Sequence, residues 1–319
     1  MIVRLILCLL FIPFVVTAAD TAAVGTNQPD ARFGLSIRMF REVNENDGRM
    51  SVRAYTKQIA ESRGIVADPN PRVFSGVPEL TKLLISGAVD IVVLPTQEFL
   101  ALEQNLVAEP LLIRIINGVD YQEYILLARF DGGINALSDL KGRRVSVLDN
   151  LQGDLAGTWL EVLLGQQTLA PSGSFFSSVT RPIKVSQTVL PVFFHQSDAC
   201  VVTRQGFALM GELNPQITSQ LRILAISPQL VSAVTCFRAG FESSLKEKFV
   251  AAMTTAHTTP AGRQLMTIFQ CDRTEVRPLS RLQSTRELLA THARLCEPTS
   301  QAALAHSNGP ISNAKGGGL

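Results

Sequence analysis

Strand-like and helix-like segments alternate along most of the chain, and this alternation restricts the possible folds more than any other feature. Apolar side chains at every second position from Phe33 to Met39 predict a strand. The helical spacing of Val52, Tyr55 and Ile59 predicts a helix after it, for which Asp47 is a candidate N-cap. Such alternation is typical of α/β proteins with mostly parallel sheets.

The same pattern starts again in the middle of the chain, which indicates two lobes. About 280 ordered residues also exceed what one hydrophobic core usually organises. We expect the chain to leave the first lobe, build the second and then return to the first. The predicted divisions are a signal peptide at residues 1–19, the first part of lobe 1 at 32–117, lobe 2 at 118–230, the return to lobe 1 with C-terminal helices at 231–297, and a disordered tail at 298–319.

The first residues have the layout of a secretory signal peptide. Arg4 precedes an apolar run from Leu5 to Val16, and the small residues Thr17-Ala18-Ala19 fit a cleavage site. The run is about a dozen residues long and contains Pro13, whereas a membrane-spanning helix needs about twenty apolar residues. We therefore expect an exported protein cleaved near Ala19, and an uncleaved membrane anchor is the alternative.

The charge balance argues against a nucleic-acid partner. The chain has 29 basic and 27 acidic residues, a formal net charge of +2. Nucleic-acid binding depends on a concentrated basic surface, and the sequence has no Lys/Arg cluster interleaved with aromatic residues.

Four cysteines follow the predicted signal peptide, namely Cys200, Cys236, Cys271 and Cys296. An oxidising compartment favours disulfides, and four cysteines allow three pairings. Simple burial as small apolar residues is the alternative for Cys200 and Cys236, because both lie in apolar strand-like segments. The spacing has no CxxC pair, so no metal site is predicted.

Enzyme and cofactor motifs are missing from the sequence. It contains no GxSxG, HExxH or P-loop, and no GxGxxG follows a predicted strand. The four histidines are scattered without metal-ligand spacing. We therefore predict a protein without catalytic residues and without a cofactor.

Four short segments carry a resemblance to a known family. ALSDLKGRRVSV (residues 136–147) resembles the turn and strand that open the second lobe of type 2 periplasmic substrate-binding proteins. GAVDIVVLP (87–95), SDACVVTR (197–204) and LRILAISPQL (221–230) are similar to further strand segments of these proteins. The resemblance covers residues 32–295 and is nearest to the phosphonate-binding proteins of ABC transporters.

The resemblance implies a fold and a function. The fold would be α/β and two-lobed, each lobe a mostly parallel sheet flanked by helices. The protein would capture a small anionic ligand, phosphonate-like or related, between the lobes in the periplasm and deliver it to an ABC transporter permease. The alternative is a stand-alone ligand-sensing or interaction protein that signals to a membrane-bound sensor partner.

Candidate ligand contacts lie where predicted strands end and helices begin. Ligands of α/β lobes approach the carboxyl ends of the strands, where unpaired N–H groups and the helix dipole favour anions. For Arg204 a guanidinium clamp on an acid group competes with a surface ion pair, and for the Ser, Thr and Asn residues helix capping is the alternative. The ten candidates are Ser75, Gly76, Thr96, Gln97, Asn150, Gln152, Ser186, Gln187, Thr203 and Arg204.

One loop departs from the family pattern. Phosphonate-binding proteins usually have a Ser/Thr-rich phosphate loop before the first helix of the second lobe, whereas this chain has DNLQGD at residues 149–154. Asp149 and Asp154 would repel a dianion that they faced. A carboxylate-bearing, sulfonated or zwitterionic ligand fits as well, with either Asp available to an amino group.

Overall fold

The structure is a computed structural model that describes residues 29–296. The predicted signal peptide, its cleavage site and the predicted tail lie outside these residues. Within them, none of the helices is long and apolar enough to cross a bilayer.

Strands and helices alternate through both halves of the described chain. The strands are β1 Phe33–Ser36, β2 Arg72–Phe74, β3 Ile91–Pro95, β4 Val107–Ile115, β5 Tyr124–Arg129, β6 Arg144–Val147, β7 Ser178–Thr180, β8 Ala199–Thr203, β9 Leu221–Ile226, β10 Ala233–Arg238 and β11 Arg273–Arg277. The helices are α1 Glu45–Arg63, α2 Val77–Ile85, α3 Thr96–Ala101, α4 Ala156–Gln166, α5 Ser172–Phe175, α6 Val185–Phe193, α7 Arg204–Leu213, α8 Pro215–Gln220, α9 Ser243–Thr254, α10 Pro260–Ile268 and α11 Gln283–Cys296.

The strands form two sheets, one in each lobe. The sheet of lobe 1 has the order β11-β4-β10-β3-β1-β2 and the sheet of lobe 2 has the order β7-β6-β8-β5-β9. The chain therefore builds four strands of lobe 1, all five strands of lobe 2, and then the last two strands of lobe 1. The prediction of a two-lobed α/β fold is confirmed.

Both sheets are mixed, which corrects the expectation of mostly parallel sheets. Parallel pairs join β1 to β2 and β3, and β6 to β7 and β8. The remaining pairs are antiparallel, because β4, β5, β9 and β10 adjoin the two passages between the lobes and are not connected as βαβ units.

Two segments connect the lobes, one between β4 and β5 and the other between β9 and β10. They are tied side by side, since the Gln122 N–H donates to Leu230 O at 2.7 Å and the Leu230 N–H donates to Gln122 O at 2.9 Å. A paired double crossing of this kind is a suitable hinge, because few backbone angles need to change when the lobes move.

Each sheet is covered by apolar side chains on both faces. In lobe 1, Phe33 of β1 packs edge-on against Phe249 of α9 with ring centroids 5.7 Å apart. In lobe 2, Tyr124 of β5 stacks on Trp159 of α4 at 6.4 Å. Coverage on both faces is typical of α/β lobes and holds the strand ends in fixed positions.

Several residues of the family-like segments have structural roles. Asp90, before β3, accepts a hydrogen bond from the N–H of Arg32 at 3.0 Å, and Asp198, before β8, accepts one from the N–H of Arg144 at 2.8 Å. Each Asp thus joins its strand to the start of the neighbouring strand. In the turn before β6, Gly142 has φ of 70°, a left-handed conformation that favours glycine.

Two segments differ from the prediction. The first strand ends at Ser36, not at Met39, because the Ser36 Oγ accepts a hydrogen bond from the Arg38 N–H and the chain turns into a 3₁₀ helix at Ile37–Phe40. Residues 182–185 are also predicted as a strand, but residues 182–184 form a loop and Val185 begins α6, with β7 just before them. Pro182 has no N–H to donate to a ladder.

The sequence did not indicate β4 or β11. Pro110 lies within β4, at a bulge where residues 108–112 face residues 235–237 of β10, so the apolar pattern is interrupted. β11 is an edge strand whose Arg273, Glu275 and Arg277 form ion pairs with one another. Charged edge strands lack the apolar pattern by which strands are recognised.

The cysteines of the described chain are all free. Cys200 lies buried in the sheet of lobe 2 and Cys236 in the sheet of lobe 1, so these two cannot pair with each other. Burial raises the pKa of the Cys236 thiol to about 12. The structure favours simple burial for both residues.

Candidate ligand-binding site

The candidate site lies where the strand ends of the two lobes face each other. On lobe 1, β1 leads into the Ile37–Phe40 turn and β3 leads directly into α3. On lobe 2, β6 leads into the loop of residues 148–155 before α4. Side chains from these three connections meet between the lobes, at the edge of the sheets where α/β proteins bind ligands.

Asp154 of lobe 2 is the centre of this contact. Its carboxylate accepts a hydrogen bond from Arg38 Nη2 at 2.5 Å and another from Gln97 Nε2 at 2.6 Å, and both donors belong to lobe 1. A second guanidinium, that of Arg41, lies 3.5 Å from the same carboxylate. Only 1% of the Asp154 side chain is exposed. The lobes are therefore joined through a buried, charge-assisted cluster.

A second set of contacts surrounds this cluster. Arg41 also pairs with Asp149, and Asn150 Nδ2 donates to the Glu42 carboxylate at 2.8 Å. The other end of the Asn150 amide accepts from the Gly153 N–H at 2.7 Å, which folds the loop back on itself. This fold directs Asp154 towards lobe 1.

Burial dominates the protonation of the acids at this site. Desolvation raises the pKa of Asp154, although Arg38 and Arg41 oppose that shift. Desolvation also raises the pKa of Glu98 on α3 and of Glu42, which Ser36 and Asn150 respectively oppose by hydrogen bonding. Water is largely excluded from these three carboxyl groups, so the stability of each ionised form depends on the cation or hydrogen-bond donor beside it.

Three buried polar atoms on the lobe 1 side have no hydrogen-bond partner among the described residues. They are Thr96 Oγ1, Glu98 Oε2 and Arg38 Nε. Thr96 and Glu98 belong to the first turn of α3, and Arg38 belongs to the turn after β1. Unpaired buried groups are costly, so these atoms are candidate ligand contacts.

The structure brings Gln97 and Asn150 together in the contact between the lobes and places Thr96 beside Gln97. Most of the other predicted contacts interact within their own lobe. Ser75 donates to Glu79 of the following helix at 2.8 Å and Gly76 is the N-cap of that helix, α2. The Gln152 carbonyl accepts from Tyr124 Oη at 2.7 Å.

The remaining predicted contacts lie at helix starts in lobe 2. Thr203 caps α7 by accepting from the Gly206 N–H at 3.1 Å, and Arg204 pairs with Glu123 at 2.7 Å. Ser186 and Gln187 occupy the first turn of α6 without a side-chain hydrogen bond to another described residue. These positions remain predicted ligand contacts.

Sequence reasoning missed the guanidinium side of the site. Arg38 and Arg41 were not candidates because the predicted strand from Phe33 to Met39 placed Arg38 within a strand and not after it. The available signal was Ser36, a residue type that ends strands by capping the backbone. Asp154 was noted for its charge, but its contact with lobe 1 required knowledge of the loop conformation.

A metal site is not evident in the part of the chain that the structure describes, which has no group of three or more His, Cys, Asp or Glu side chains suited to an ion.

A comparison with protein families finds one match. A family described as the periplasmic substrate-binding protein of phosphonate ABC transporters matches residues 63–281. None of the curated proteins compared with the chain matches it.

Solved structures with a similar fold support the two-lobed architecture. A Xanthomonas citri protein solved bound to ATP is 18% identical, with 83% of this chain and 98% of that chain covered at a TM-score of 0.61. A binding-protein component of an ABC phosphonate transporter from Pseudomonas aeruginosa is 13% identical, with 88% and 93% covered at a TM-score of 0.56. PhnD1 from Prochlorococcus marinus in complex with methylphosphonate is 13% identical, with 82% and 97% covered at a TM-score of 0.54.

Proposed function

Because the chain belongs to the periplasmic substrate-binding proteins of phosphonate ABC transporters, we propose that it captures a small zwitterionic ligand between its lobes. Such a ligand has an acid group and an amino group, as an aminoalkylphosphonate has. The observation that carries this proposal is the charge of the two walls of the site: Arg38 and Arg41 on lobe 1 face Asp149 and Asp154 on lobe 2.

The buried ion pair explains why both charges of the ligand matter. A simple anion that displaced Asp154 from Arg38 would deprive a buried carboxylate of its nearest cation and place a like charge beside it, with only Gln97 and the more distant Arg41 left as partners. Loss of one partner from a buried pair costs about 3–5 kcal/mol. A zwitterion avoids this cost, since its acid group replaces Asp154 at Arg38 while its amino group replaces Arg38 at Asp154.

The proposed binding cycle uses the hinge between the lobes. Opening at the paired segments around Gln122 and Leu230 separates Arg38 from Asp154 and hydrates both groups. The ligand enters, the lobes close, and Thr96, Gln97 and Asn150 provide polar contacts. An ABC transporter permease is the partner to which the loaded protein delivers its ligand. We also propose that the ligand leaves unchanged, because the described groups of the site are paired acids and bases suited to binding.

The proposal is tested by thermal unfolding of the mature protein with a panel of zwitterions, simple phosphonates, sulfonates and dicarboxylates. A ligand at a hundred times its dissociation constant adds about 2.7 kcal/mol to the stability. We expect aminoalkylphosphonates to raise the melting temperature of the wild type and of the exposed control Arg53→Met, but not that of Arg38→Met. An equal shift in Arg38→Met, or no shift by any compound, would contradict the proposal.

A further inference from the structure

A separate apolar cavity lies inside lobe 1, away from the gap between the lobes. It has a volume of about 60 Å³ and lies between one face of the sheet and the helices α1, α9 and α10. Phe33, Leu35 and Val93 line it from the sheet, and Tyr55 and Met253 from the helices. An apolar cavity of this kind loses packing contacts unless something fills it.

A single cation, Arg114 of β4, borders this cavity. The same side chain also lines two smaller cavities of about 10 Å³ each, one towards Glu42 and one towards the hinge residues Tyr121 and Gln122. The side chain keeps some accessible surface because it borders these spaces, and yet burial lowers the pKa of the guanidinium.

Arg114 has fewer partners than a buried guanidinium normally has. It donates to Phe269 O at 3.2 Å and to Ser232 Oγ at 3.3 Å, and its buried Nε has no partner among the described residues. No described carboxylate lies within salt-bridge distance, and Glu42 is near enough only for attraction across the small cavity that both residues line. A guanidinium presents five donors, and a buried charge without an anion is costly.

We propose that this cavity is a second ligand site, which takes a small amphipathic anion such as a short-chain carboxylate or sulfonate. The acid group pairs with Arg114, and the hydrocarbon chain occupies the apolar space beyond it. The large cavity is distinct from the proposed zwitterion site, because none of the residues that line it belongs to the contacts around Asp154. Glu42, which lines the small cavity next to it, also accepts a hydrogen bond from Asn150 at the edge of the zwitterion site.

The dimensions limit the chain length of the ligand. An engineered apolar cavity of about 150 Å³ is large enough for benzene, so a cavity of about 60 Å³ suits a chain of only a few carbons. Longer chains require the lining to move, and Met39, Met253 and Met266 are the residues suited to this, because methionine side chains adapt readily to irregular space.

A path to the surface follows from shared lining residues. Phe269 and Met39 border both the large cavity and the small cavity next to Glu42. Glu42, Val43 and Ile268 border that small cavity and also an open groove between the start of α1 and α10. The ligand would enter through this groove with its hydrocarbon end first.

The test is calorimetric titration with straight-chain carboxylates of two to eight carbons and with alcohols of equal length. The Arg38→Met background removes the zwitterion site, so the proposed function and this proposal can fail separately. We expect affinity to rise with chain length to a maximum at a few carbons, and each carboxylate near that maximum to bind on the order of tenfold tighter than its alcohol, a factor that corresponds to 1.4 kcal/mol.

Two variants decide the outcome. Arg114→Met should abolish the preference for carboxylates and retain alcohol binding, whereas Ala233→Leu should fill the space and weaken both series on the order of tenfold. Carboxylate binding that is unchanged in Arg114→Met, or absent from the protein altogether, would overturn the proposal. If Arg114→Met does not fold, unchanged carboxylate affinity in Ala233→Leu would overturn it.

Discussion

Asp154 is a buried carboxylate that joins the two lobes, and in the proposed binding mode it also selects the ligand. Its oxygens are occupied by Arg38 and Gln97 of the opposite lobe, and it is shielded from water. Such a pair adds little net stability, because the cost of removing both charges from water offsets their attraction. In the proposed binding mode its role is selectivity, because only a ligand that satisfies both partners replaces the pair without leaving a buried charge unpaired.

Protonation of the same residue predicts a pH dependence of stability. Asp154, Glu98 and Glu42 have raised pKa values in the folded protein, so the folded state binds more protons than the unfolded state above their ordinary pKa of about 4. Stability from these groups is lost as the pH rises through their folded pKa values. The melting temperature of the ligand-free protein should therefore rise as the pH is lowered from about 7 towards about 5.

Two variants assign this pH effect. Asp154→Asn removes one of the raised groups and should reduce the rise in melting temperature. Asp131→Asn is the matched control. Hydrogen bonding to Arg129 lowers the pKa of Asp131, so its contribution to the stability of the folded protein is lost only at a pH more acidic than this range. An identical pH slope in the wild type and Asp154→Asn would refute the assignment.

At the scale of elements, the loop before α4 determines where Asp154 points. Gly153 allows this loop to pass close to the backbone, since a Cβ at this position would lie 2.5 Å from Leu148 O. The Asn150 side chain then fixes the turn through the Gly153 N–H.

Substitution of this glycine should therefore affect both stability and binding. Gly153→Ala is expected to lower the free energy of unfolding by about 1–3 kcal/mol, as overpacking typically does, and to weaken binding between the lobes. Gly173→Ala in α5 of the same lobe is the control, because a Cβ there meets no atom within 4 Å. Chemical denaturation and calorimetry measure both effects, and equal results for the two variants would show that the close approach is unimportant.

The same scale explains what the sequence can and cannot predict. The family-like segments contain Asp90, Asp198 and Gly142, which shape strand starts and turns, so these segments predict the fold well. The pairing of Arg38 with Asp154 joins residues 116 positions apart in the chain. Local patterns cannot reveal such a contact. In addition, the predicted strand extended to Met39, whereas β1 ends at Ser36, so Arg38 was placed within the strand.

For the whole molecule, the alternation of strands and helices was sufficient to predict two α/β lobes. The mixed character of the lobe 1 sheet could not be predicted, because β4 and β11 lack a clear strand pattern and both pair antiparallel with their neighbours. In lobe 2 the strand segments are recognisable, but the antiparallel pairing of β5 with β8 and β9 is a long-range feature that local patterns do not show. The strands β4 and β11 belong to the part of lobe 1 that adjoins the crossings between the lobes. The two charged walls of the site lie on separate lobes, so the proposed binding mode couples ligand binding to lobe closure.

The most direct test of the central claim is calorimetric titration with an aminoalkylphosphonate and with an alkylphosphonate of equal length. The wild type should bind the aminoalkylphosphonate at least about tenfold tighter, a difference of 1.4 kcal/mol, because its amino group replaces Arg38 at Asp154. Asp154→Asn should lose this preference. Equal affinity of the wild type for both compounds, or a preference that persists in Asp154→Asn, would contradict the account.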